Sequence, residues 1–155
     1  MEIIYKDGDL LDAQTDIIAH QVNCKGIMGA GIALQIKNKW PIVFEEYEKV
    51  LENTWQFFPL GSCQLVNIED SRYVANLFGQ NKYGKGNVRY TSYDAIHEAL
   101  SELVSKMTAY NLKSVAFPYG MSSGFGGADW DIILAMIKSV FKDTNVIIEI
   151  WKYDV

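Results

Sequence analysis

The stretch from His20 to Gln35 reads HQVNCKGIMGAGIALQ and places a histidine, an asparagine, a cysteine and three glycines between an apolar run and a helical pattern. Such a segment could form a phosphate cradle, a catalytic corner or a tight turn. An imidazole titrates near neutral pH, so His20 could activate water or protonate a leaving oxygen. The alternative, a strand histidine whose ring bonds a backbone carbonyl, stays open at this point.

The other reactive side chains do not indicate a second chemistry. No His-Asp or lysine pattern marks the Cys24 thiol as activated, so we expect a small buried thiol. His97 lies within a helical pattern beside a glutamate, and we expect it at the surface. Two histidines and two cysteines, scattered without ligand spacing, predict neither a metal site nor a cofactor.

Two glycine-rich segments, GIMGAG at 26–31 and GMSSGFGG at 120–127, each follow a strand pattern and precede a helical one. A helix N-terminus presents unpaired N–H groups, and glycine lets a ligand approach the backbone, so two such loops could clamp a diphosphate. The Rossmann pattern fails because Leu34 stands where its third glycine belongs, and neither segment ends in the Gly-Lys-Ser/Thr of a P-loop. Two tight turns without a ligand are the remaining alternative.

The elements that must position these loops follow from periodicity and turn residues. Strands are predicted at Glu2 to Tyr5, Asp16 to Val22, Cys63 to Glu69, Arg72 to Gln80, Ser114 to Pro118 and Val146 to Trp151. Helices are predicted at Gly31 to Lys39, Pro41 to Glu52, Ser92 to Tyr110 and Asp129 to Phe141. The connection from Asn53 to Gly61 is expected to be irregular, and the polar segment from Gln80 to Thr91 is expected to be a mobile loop. The order ββααββαβαβ predicts a three-layer α/β domain with a mixed sheet.

Composition narrows the class of protein. The chain has 155 residues, enough for one domain with one core, and a formal net charge of −5, which does not fit a surface that tracks nucleic-acid backbone. The N-terminus shows no signal-peptide pattern, and no apolar run is long enough to cross a membrane. We expect a cytoplasmic protein with free thiols that binds neither membranes nor, stably, nucleic acid.

The segments YKDGDLLD, IIAHQVNCKGIMGAGIALQ and FPYGMSSGFGGADW together resemble the macrodomain family, which binds ADP-ribose, and the resemblance covers essentially the whole chain. It is strongest to the branch of ADP-ribose-1''-phosphate phosphatases, acyl-ADP-ribose and glutamate-linked ADP-ribose hydrolases, and macrodomain antitoxins that reverse DNA ADP-ribosylation. It implies a three-layer α/β/α macrodomain fold with a central mixed, mostly parallel sheet. Residues 1–155 are expected to form this single macrodomain.

The resemblance also implies roles for the ends of the ligand. Asp9 would accept a hydrogen bond from the adenine amino group, with Leu10 beside it, although an aspartate in a turn is more often a cap. Trp151 or Tyr153 would cover adenine, and packing at the sheet edge is the alternative for Trp151.

The resemblance assigns the diphosphate and the distal ribose of the ligand to the two loops and the residues beside them. Asn23 would orient the distal ribose, and Phe125 would lie against it. Backbone amides would hold the diphosphate, from Gly29, Ala30, Gly31 and Ile32 in the first loop and from Ser122, Ser123, Gly124, Phe125, Gly126 and Gly127 in the second.

The sequence departs from the glutamate-linked hydrolases at two positions. Where they carry a strand-end lysine and a loop aspartate, this chain has Gln80 and Gly126. Lys82 could reach the site only from a shifted position, so a covalent lysine mechanism is not expected. Asp129 and Asp131 could orient water, but helix capping explains both.

The expected function is therefore hydrolysis of an ADP-ribose derivative by attack of water at the distal ribose, with His20 and Asn23 as catalytic residues. The substrate would be the 1''-phosphate monoester, for a phosphatase, or an ester-linked mono-ADP-ribosyl group, for a hydrolase acting on an ADP-ribosylated protein or nucleic acid. The alternative is a non-catalytic ADP-ribose-binding module, which needs the same pocket without His20.

Overall fold

The structure is a computed structural model that describes residues 1–53 and 59–153. Its strands are β1 (Glu2–Asp7), β2 (Ile17–Val22), β3 (Cys63–Glu69), β4 (Arg72–Phe78), β5 (Ser114–Pro118) and β6 (Ile147–Lys152). Its helices are α1 (Gly31–Lys39), α2 (Pro41–Asn53), α3 (Tyr93–Ala109) and α4 (Trp130–Phe141), with a short 3-10 helix at Leu10–Asp12. The predicted order of strands and helices is confirmed.

The strands form one sheet in the order β1-β6-β5-β2-β4-β3. Every neighbouring pair is parallel except β3 and β4, which are antiparallel at the sheet edge. The sheet is therefore mixed and mostly parallel, as predicted. The carboxyl ends of its five parallel strands lie along one edge, which is where open α/β sheets bind ligands.

Alternating side chains of the sheet pack into two cores. On one face, Ile17 and Ala19 of β2 pack in a cluster with residues of α3 and α4. On the other face, Ile18 and Val22 pack in a cluster with residues of α1 and α2. The three-layer α/β/α arrangement of the macrodomain fold is thus confirmed.

The element boundaries differ from the predicted ones by a few residues. β1 runs on to Asp7, and β4 ends at Phe78, after which Gln80 pairs with Thr91 only as an isolated antiparallel bridge. Ser92 and Asp129 are the N-caps of α3 and α4, so the capping role expected for Asp129 is confirmed. Of the predicted irregular connection, residues 54–58 lie outside the described ranges. Within those ranges, no helix is both long enough and apolar enough to span a bilayer.

Candidate ligand-binding cleft

Two adjoining cavities open at the carboxyl edge of the sheet, between the two glycine-rich loops. The larger, about 360 Å³, has Asn23, Ile27 and Lys85 in its wall. The smaller, about 230 Å³, reaches His20, Tyr119 and the second loop. Both cavities are lined by Gln21, Ala30, Ala33, Gln80 and Phe125. Because they share these walls, we describe them as one cleft.

The first glycine loop leads directly into α1 and leaves the start of that helix open. Ala30 is the N-cap, and no side chain caps the helix there. By contrast, Ser92 and Asp129 accept hydrogen bonds from backbone N–H groups at the starts of α3 and α4. Gly31 has φ 56°, and a Cβ added to it would meet no atom within 4 Å. The N–H groups and positive dipole end of α1 therefore remain available to an anion at the cleft wall.

Asn23 is held inside the first loop by bonds from both ends of its amide. Its Oδ1 accepts from the Lys25 N–H at 2.9 Å, and its Nδ2 donates to the Ile27 carbonyl at 2.9 Å. The Tyr47 hydroxyl lies 2.7 Å from the Asn23 carbonyl and 2.8 Å from its Oδ1, and accepts from the Gly26 N–H at 3.1 Å. Asn23 thus shapes the loop, and only the second hydrogen of its Nδ2 is left to meet a ligand.

Tyr47 is a site residue that the sequence analysis missed. It occupies a buried position on the apolar stripe of α2 and stacks on Phe78 with ring centroids 5.7 Å apart. Burial raises the pKa of its phenol, which keeps the hydroxyl protonated and able to donate. The one available signal was a tyrosine, rather than a phenylalanine, on a stripe predicted to face the core.

The second glycine loop is closed against the segment from Val88 to Thr91. The Gly126 carbonyl accepts from both the Tyr90 and Thr91 N–H groups at 2.9 Å. A Cβ on Gly127 would lie 2.8 Å from the Val88 carbonyl oxygen, and Gly127 has φ 71°. These two glycines therefore make room for the protein's own chain, not only for a ligand.

Two of the backbone amides predicted to hold the diphosphate have hydrogen-bond partners within this loop. The Ser123 and Gly127 N–H groups already donate within the loop, to the Gly120 and Gly124 carbonyls at 3.0 and 3.1 Å. A Cβ on Gly124 would meet nothing within 4 Å, and Phe125 is exposed in the walls of both cavities. The open part of the second loop is thus centred on Gly124 and Phe125.

Gln21 of β2 forms side-chain hydrogen bonds to residues on both sides of the cleft. It is a second site residue that the sequence did not reveal. Its Nε2 donates to Gln80 Oε1 at 2.7 Å and to Thr91 Oγ1 at 2.8 Å. Its Oε1 accepts from the Ser122 hydroxyl at 2.6 Å. Ser122 has φ 70°, a backbone conformation that is uncommon for a residue with a side chain.

The same contacts explain why this chain has Gly126 where the glutamate-linked hydrolases have an aspartate. A Cβ there would lie 2.6 Å from both the Ser122 carbonyl oxygen and Thr91 Oγ1. An aspartate at this position would displace the network around Gln21. Gln80 itself is hydrogen-bonded to Gln21 and, through its Nε2, to the Lys82 carbonyl at 2.7 Å.

The segment from Gln80 to Thr91 is bonded at one end to Cys24, two residues before the first glycine loop, and at the other end to the second loop. The Asn81 carbonyl accepts from the Cys24 N–H at 3.0 Å, and Tyr90 and Thr91 bond the second loop. Between these ends, Tyr83 is 53% exposed, and the Lys85 ammonium lies 5.5 Å from the centre of the Phe125 ring. This arched segment forms a wall of the larger cavity.

His20 is buried in β2 and lines the smaller cavity. Its Nε2 lies 2.6 Å from Asn76 Oδ1, whereas its Nδ1 has no hydrogen-bond partner among the residues that the structure describes. Burial lowers the pKa of this imidazole to about 4, partly offset by the bond to Asn76. His20 is therefore neutral at pH 7, and its partner is a side chain, not the backbone carbonyl considered above.

The two thiols lie in environments that do not favour the thiolate. Cys24 and Cys63 are free and buried. Desolvation raises the pKa of the Cys24 thiol to about 11 and that of Cys63 to about 12, so both stay protonated near neutral pH. Across residues 1–53 and 59–153, no group of three or more His, Cys, Asp or Glu side chains could hold a metal ion.

The predicted adenine residues lie at the other end of the same sheet edge. The Asp9 carboxylate caps the 3-10 helix by accepting from the Leu11 N–H at 2.9 Å, and Leu10 is buried in the core. Trp151 is half-buried against Gly8 and donates from its indole to Glu149. None of Asp9, Leu10 and Trp151 is among the described residues that line the two cavities, whereas Tyr119 is.

Fold and cleft together define an α/β domain with two glycine loops facing each other at the carboxyl ends of parallel strands. The sequence pattern of the family described as Macro domain matches residues 19–137. The chain therefore belongs to the macro domain family, as its motifs predicted.

A curated relative matches most of this chain in sequence. The chain is 33% identical over 144 residues to the "DNA ADP-ribosyl glycohydrolase" of Mycobacterium tuberculosis, covering 90% of this chain and 39% of that protein. The chain thus spans well under half the length of this relative.

Two solved structures are similar over nearly the whole chain. A protein of unknown function from Bacteroides thetaiotaomicron superposes with a TM-score of 0.87 at 28% identity, covering 98% of both chains. The macrodomain of Mycobacterium tuberculosis DarG gives a TM-score of 0.84 at 29% identity, covering 96% of both chains.

Proposed function

We propose that this chain, as a single macro domain, binds ADP-ribose with the diphosphate at the open N-terminus of α1. The observation that carries the proposal is that α1 begins at the cleft without a side-chain cap while α3 and α4 are capped. An anion at that position would take the place of a cap and interact favourably with the helix dipole. Gly124 and Phe125 would close on the diphosphate from the opposite wall.

This placement orients the rest of the ligand. The larger cavity, beside Asn23 and Phe125, would take the distal ribose and whatever group it carries. The smaller cavity leads past Tyr119 toward the edge where Asp9 and Trp151 lie, and adenine would occupy that end. We keep Asp9 as the partner of the adenine amino group, since its Oδ1 alone is used in capping.

The reaction that we propose is hydrolysis at the distal ribose. Water would release either inorganic phosphate from ADP-ribose-1''-phosphate or a carboxylic acid from an ester-linked ADP-ribosyl group, with ADP-ribose as the other product. The name of the relative, a DNA ADP-ribosyl glycohydrolase, adds ADP-ribosylated DNA as a third candidate. Lys85 and Tyr83, in the wall of the larger cavity, would contact the leaving group.

A second candidate, a non-catalytic ADP-ribose-binding module, is favoured by two observations. The amides of Gln80 and Asn23 are engaged in bonds within the protein, and His20 is neutral and buried. In that case the cleft would bind ADP-ribose without turning over any derivative.

The experiment is to incubate the purified chain with ADP-ribose-1''-phosphate, an ester-linked ADP-ribosyl peptide and ADP-ribosylated DNA, each in turn, and to quantify ADP-ribose by chromatography. Turnover of any one supports the hydrolase if the identically purified Ala30→Asp variant, whose charge should weaken binding, is slower at subsaturating substrate, whereas equal rates would indicate a contaminating enzyme. Calorimetric binding of ADP-ribose without release from any substrate would leave the binding module.

A further inference from the structure

Three polar side chains cross the sheet beneath the first glycine loop in adjacent register positions. His20 of β2 pairs with Asn76 of β4, and Asn76 pairs with Gln64 of β3. Asn76 is fully buried, and Gln64 is partly buried. The line continues from Gln64 Nε2 to the backbone carbonyl of Glu46 in α2, at 3.0 Å.

The Glu46 carbonyl sets the direction of every bond in this line, because a carbonyl oxygen can only accept. Gln64 must therefore present its NH₂ group to Glu46, which leaves its Oε1 to accept from Asn76 Nδ2 at 3.0 Å. Asn76 then offers only its Oδ1 to His20, at 2.6 Å. Since that oxygen also only accepts, the proton of the neutral imidazole is on Nε2.

This tautomer leaves Nδ1 of His20 as a bare lone pair. His20 is 2% exposed, its buried Nδ1 has no hydrogen-bond partner among the described residues, and the residue is one of those that line the smaller cavity. Burial lowers the pKa of the imidazole to about 4, which agrees with a neutral ring. A buried acceptor without a donor is unfavourable, so a donor from the cleft would gain binding free energy here.

We infer that Nδ1 of His20 is the acceptor for an O–H group at the floor of the smaller cavity, and that Asn76 and Gln64 are positioning residues that hold this tautomer. A phosphate oxygen does not fit, because it has a lone pair where Nδ1 also has one. The group is a ribose hydroxyl of the ligand, or a water that the bound ligand holds in place. This inference rests on the proposed binding of ADP-ribose. Because the Nε2 proton is committed to Asn76, His20 would not protonate a leaving oxygen through Nε2, and its pKa of about 4 makes Nδ1 a weak base for water.

The tautomer can be observed directly by NMR with ¹⁵N-labelled histidine. The chain has two histidines, so an exposed-site variant, His97→Gln, leaves a single imidazole. We expect a protonated Nε2 and an unprotonated Nδ1 in the free protein at pH 7. An Nδ1–H tautomer or a charged ring would overturn the inference, and this result needs no ligand.

Two ligands then locate the O–H group. Saturating ADP-ribose should move the Nδ1 resonance in the direction of an accepted hydrogen bond while Nε2 keeps its proton. If ADP causes this shift too, the donor is a hydroxyl of the adenosine ribose or a water held beside it, as expected from the adenosine end lying in the smaller cavity. If ADP fails to cause it, the hydroxyl is on the distal ribose, which supports the inference but reverses the proposed placement of the two ends of the ligand. Calorimetric heat with an unmoved Nδ1 resonance overturns it, whereas absence of heat overturns the proposed function instead.

Variants test the positioning residues. Asn76→Leu and Gln64→Leu should each give a mixture of tautomers and weaken ADP-ribose binding roughly tenfold, about the worth of one hydrogen bond. Gln64→Leu is the second arm in case the buried Asn76→Leu does not fold. Asn67→Leu, at an exposed position of β3 whose amide bonds only the Asp70 and Arg72 carbonyls, is the matched control. A pure Nε2–H tautomer in both test variants would contradict the positioning role.

Discussion

The two glycine loops look alike in sequence but differ in what their glycines face. At the first loop, a Cβ on Gly31 would stand in open space, and the helix that follows has no cap. At the second loop, a Cβ on Gly127 would strike the backbone of Val88 and Arg89. The first loop therefore leaves its backbone open to a ligand, whereas the second uses glycine mainly to dock a neighbouring segment. Glycine-rich composition alone does not distinguish these two uses.

The largest effect should come from closing the space at the second loop. Gly127→Ala combines a left-handed backbone with contacts of 2.8 Å to Val88 O and 2.9 Å to Arg89 Cα. We expect a loss of about 3 kcal/mol in the free energy of unfolding, from backbone strain and overpacking. Urea unfolding measures it.

Gly124→Ala is the matched control for that substitution, because its Cβ would meet nothing within 4 Å. Its free energy of unfolding should change by less than about 0.5 kcal/mol. Equal losses in the two variants would remove the distinction between the open and the docked part of the loop.

The burial of His20 in the line of polar side chains formed with Asn76 and Gln64 should affect the pH dependence of the free energy of unfolding. In the unfolded chain His20 titrates near 6.5, and in the folded protein near 4. The unfolded state therefore binds more protons between these values, and stability falls as pH decreases from 6.5 to 4. The loss is about 1.4 kcal/mol per pH unit, about 3 kcal/mol in total.

This contribution is isolated by comparing urea unfolding of wild type and His20→Gln from pH 7.5 to 4. The variant should lack the slope, and His97→Gln, at an exposed position, should keep it. The burial of a neutral His20 would be refuted by a wild-type slope that persists in His20→Gln.

Tyr47→Phe tests whether the conformation of the first glycine loop depends on the hydrogen bonds of the Tyr47 hydroxyl. The substitution keeps the ring stacked on Phe78 but removes the hydroxyl that bonds Asn23 and Gly26. We expect a loss of about 1.5 kcal/mol in the free energy of unfolding, because buried partners are left unpaired. Weaker ADP-ribose binding should accompany it.

Thermal unfolding and calorimetry measure these two effects. Tyr110→Phe, at a side chain that is 64% exposed, is the control and should change neither. A Tyr47→Phe protein indistinguishable from wild type would mean that Asn23 does not need this bond to hold the loop.

The substitution with the smallest expected effect on stability, Ala30→Asp, should stabilise the fold but weaken ligand binding. Ala30→Asp supplies the missing cap of α1 and should stabilise the fold by about 1 kcal/mol, while its charge repels the diphosphate and weakens ADP-ribose binding at least about tenfold. Ala30→Asn, which caps without charge, should stabilise similarly and bind ADP-ribose better than Ala30→Asp. Thermal unfolding and calorimetry on the same preparations check both, and equal affinities for the two variants would count against an anion at this helix.

Local patterns predicted the elements, their order and the two loops, because strands, helices and turns each have a period or a residue type that marks them. Contacts between distant segments were not predictable in this way. Gln21 bonds Thr91, 70 positions away, and Ser122, 101 positions away, and none of the three carries a local signal of that partnership. The Tyr47 hydroxyl was hidden by the apolar stripe that correctly placed its ring. Whether Asp9 and Trp151 meet adenine stays a prediction.

The most direct test of the central claim is a calorimetric titration of the purified wild-type chain with ADP-ribose. We expect one site per chain and a dissociation constant in the micromolar range, equivalent to roughly −8 kcal/mol. Absence of binding heat across several temperatures, for a chain shown to be folded by its cooperative unfolding, would contradict the claim that this cleft binds ADP-ribose.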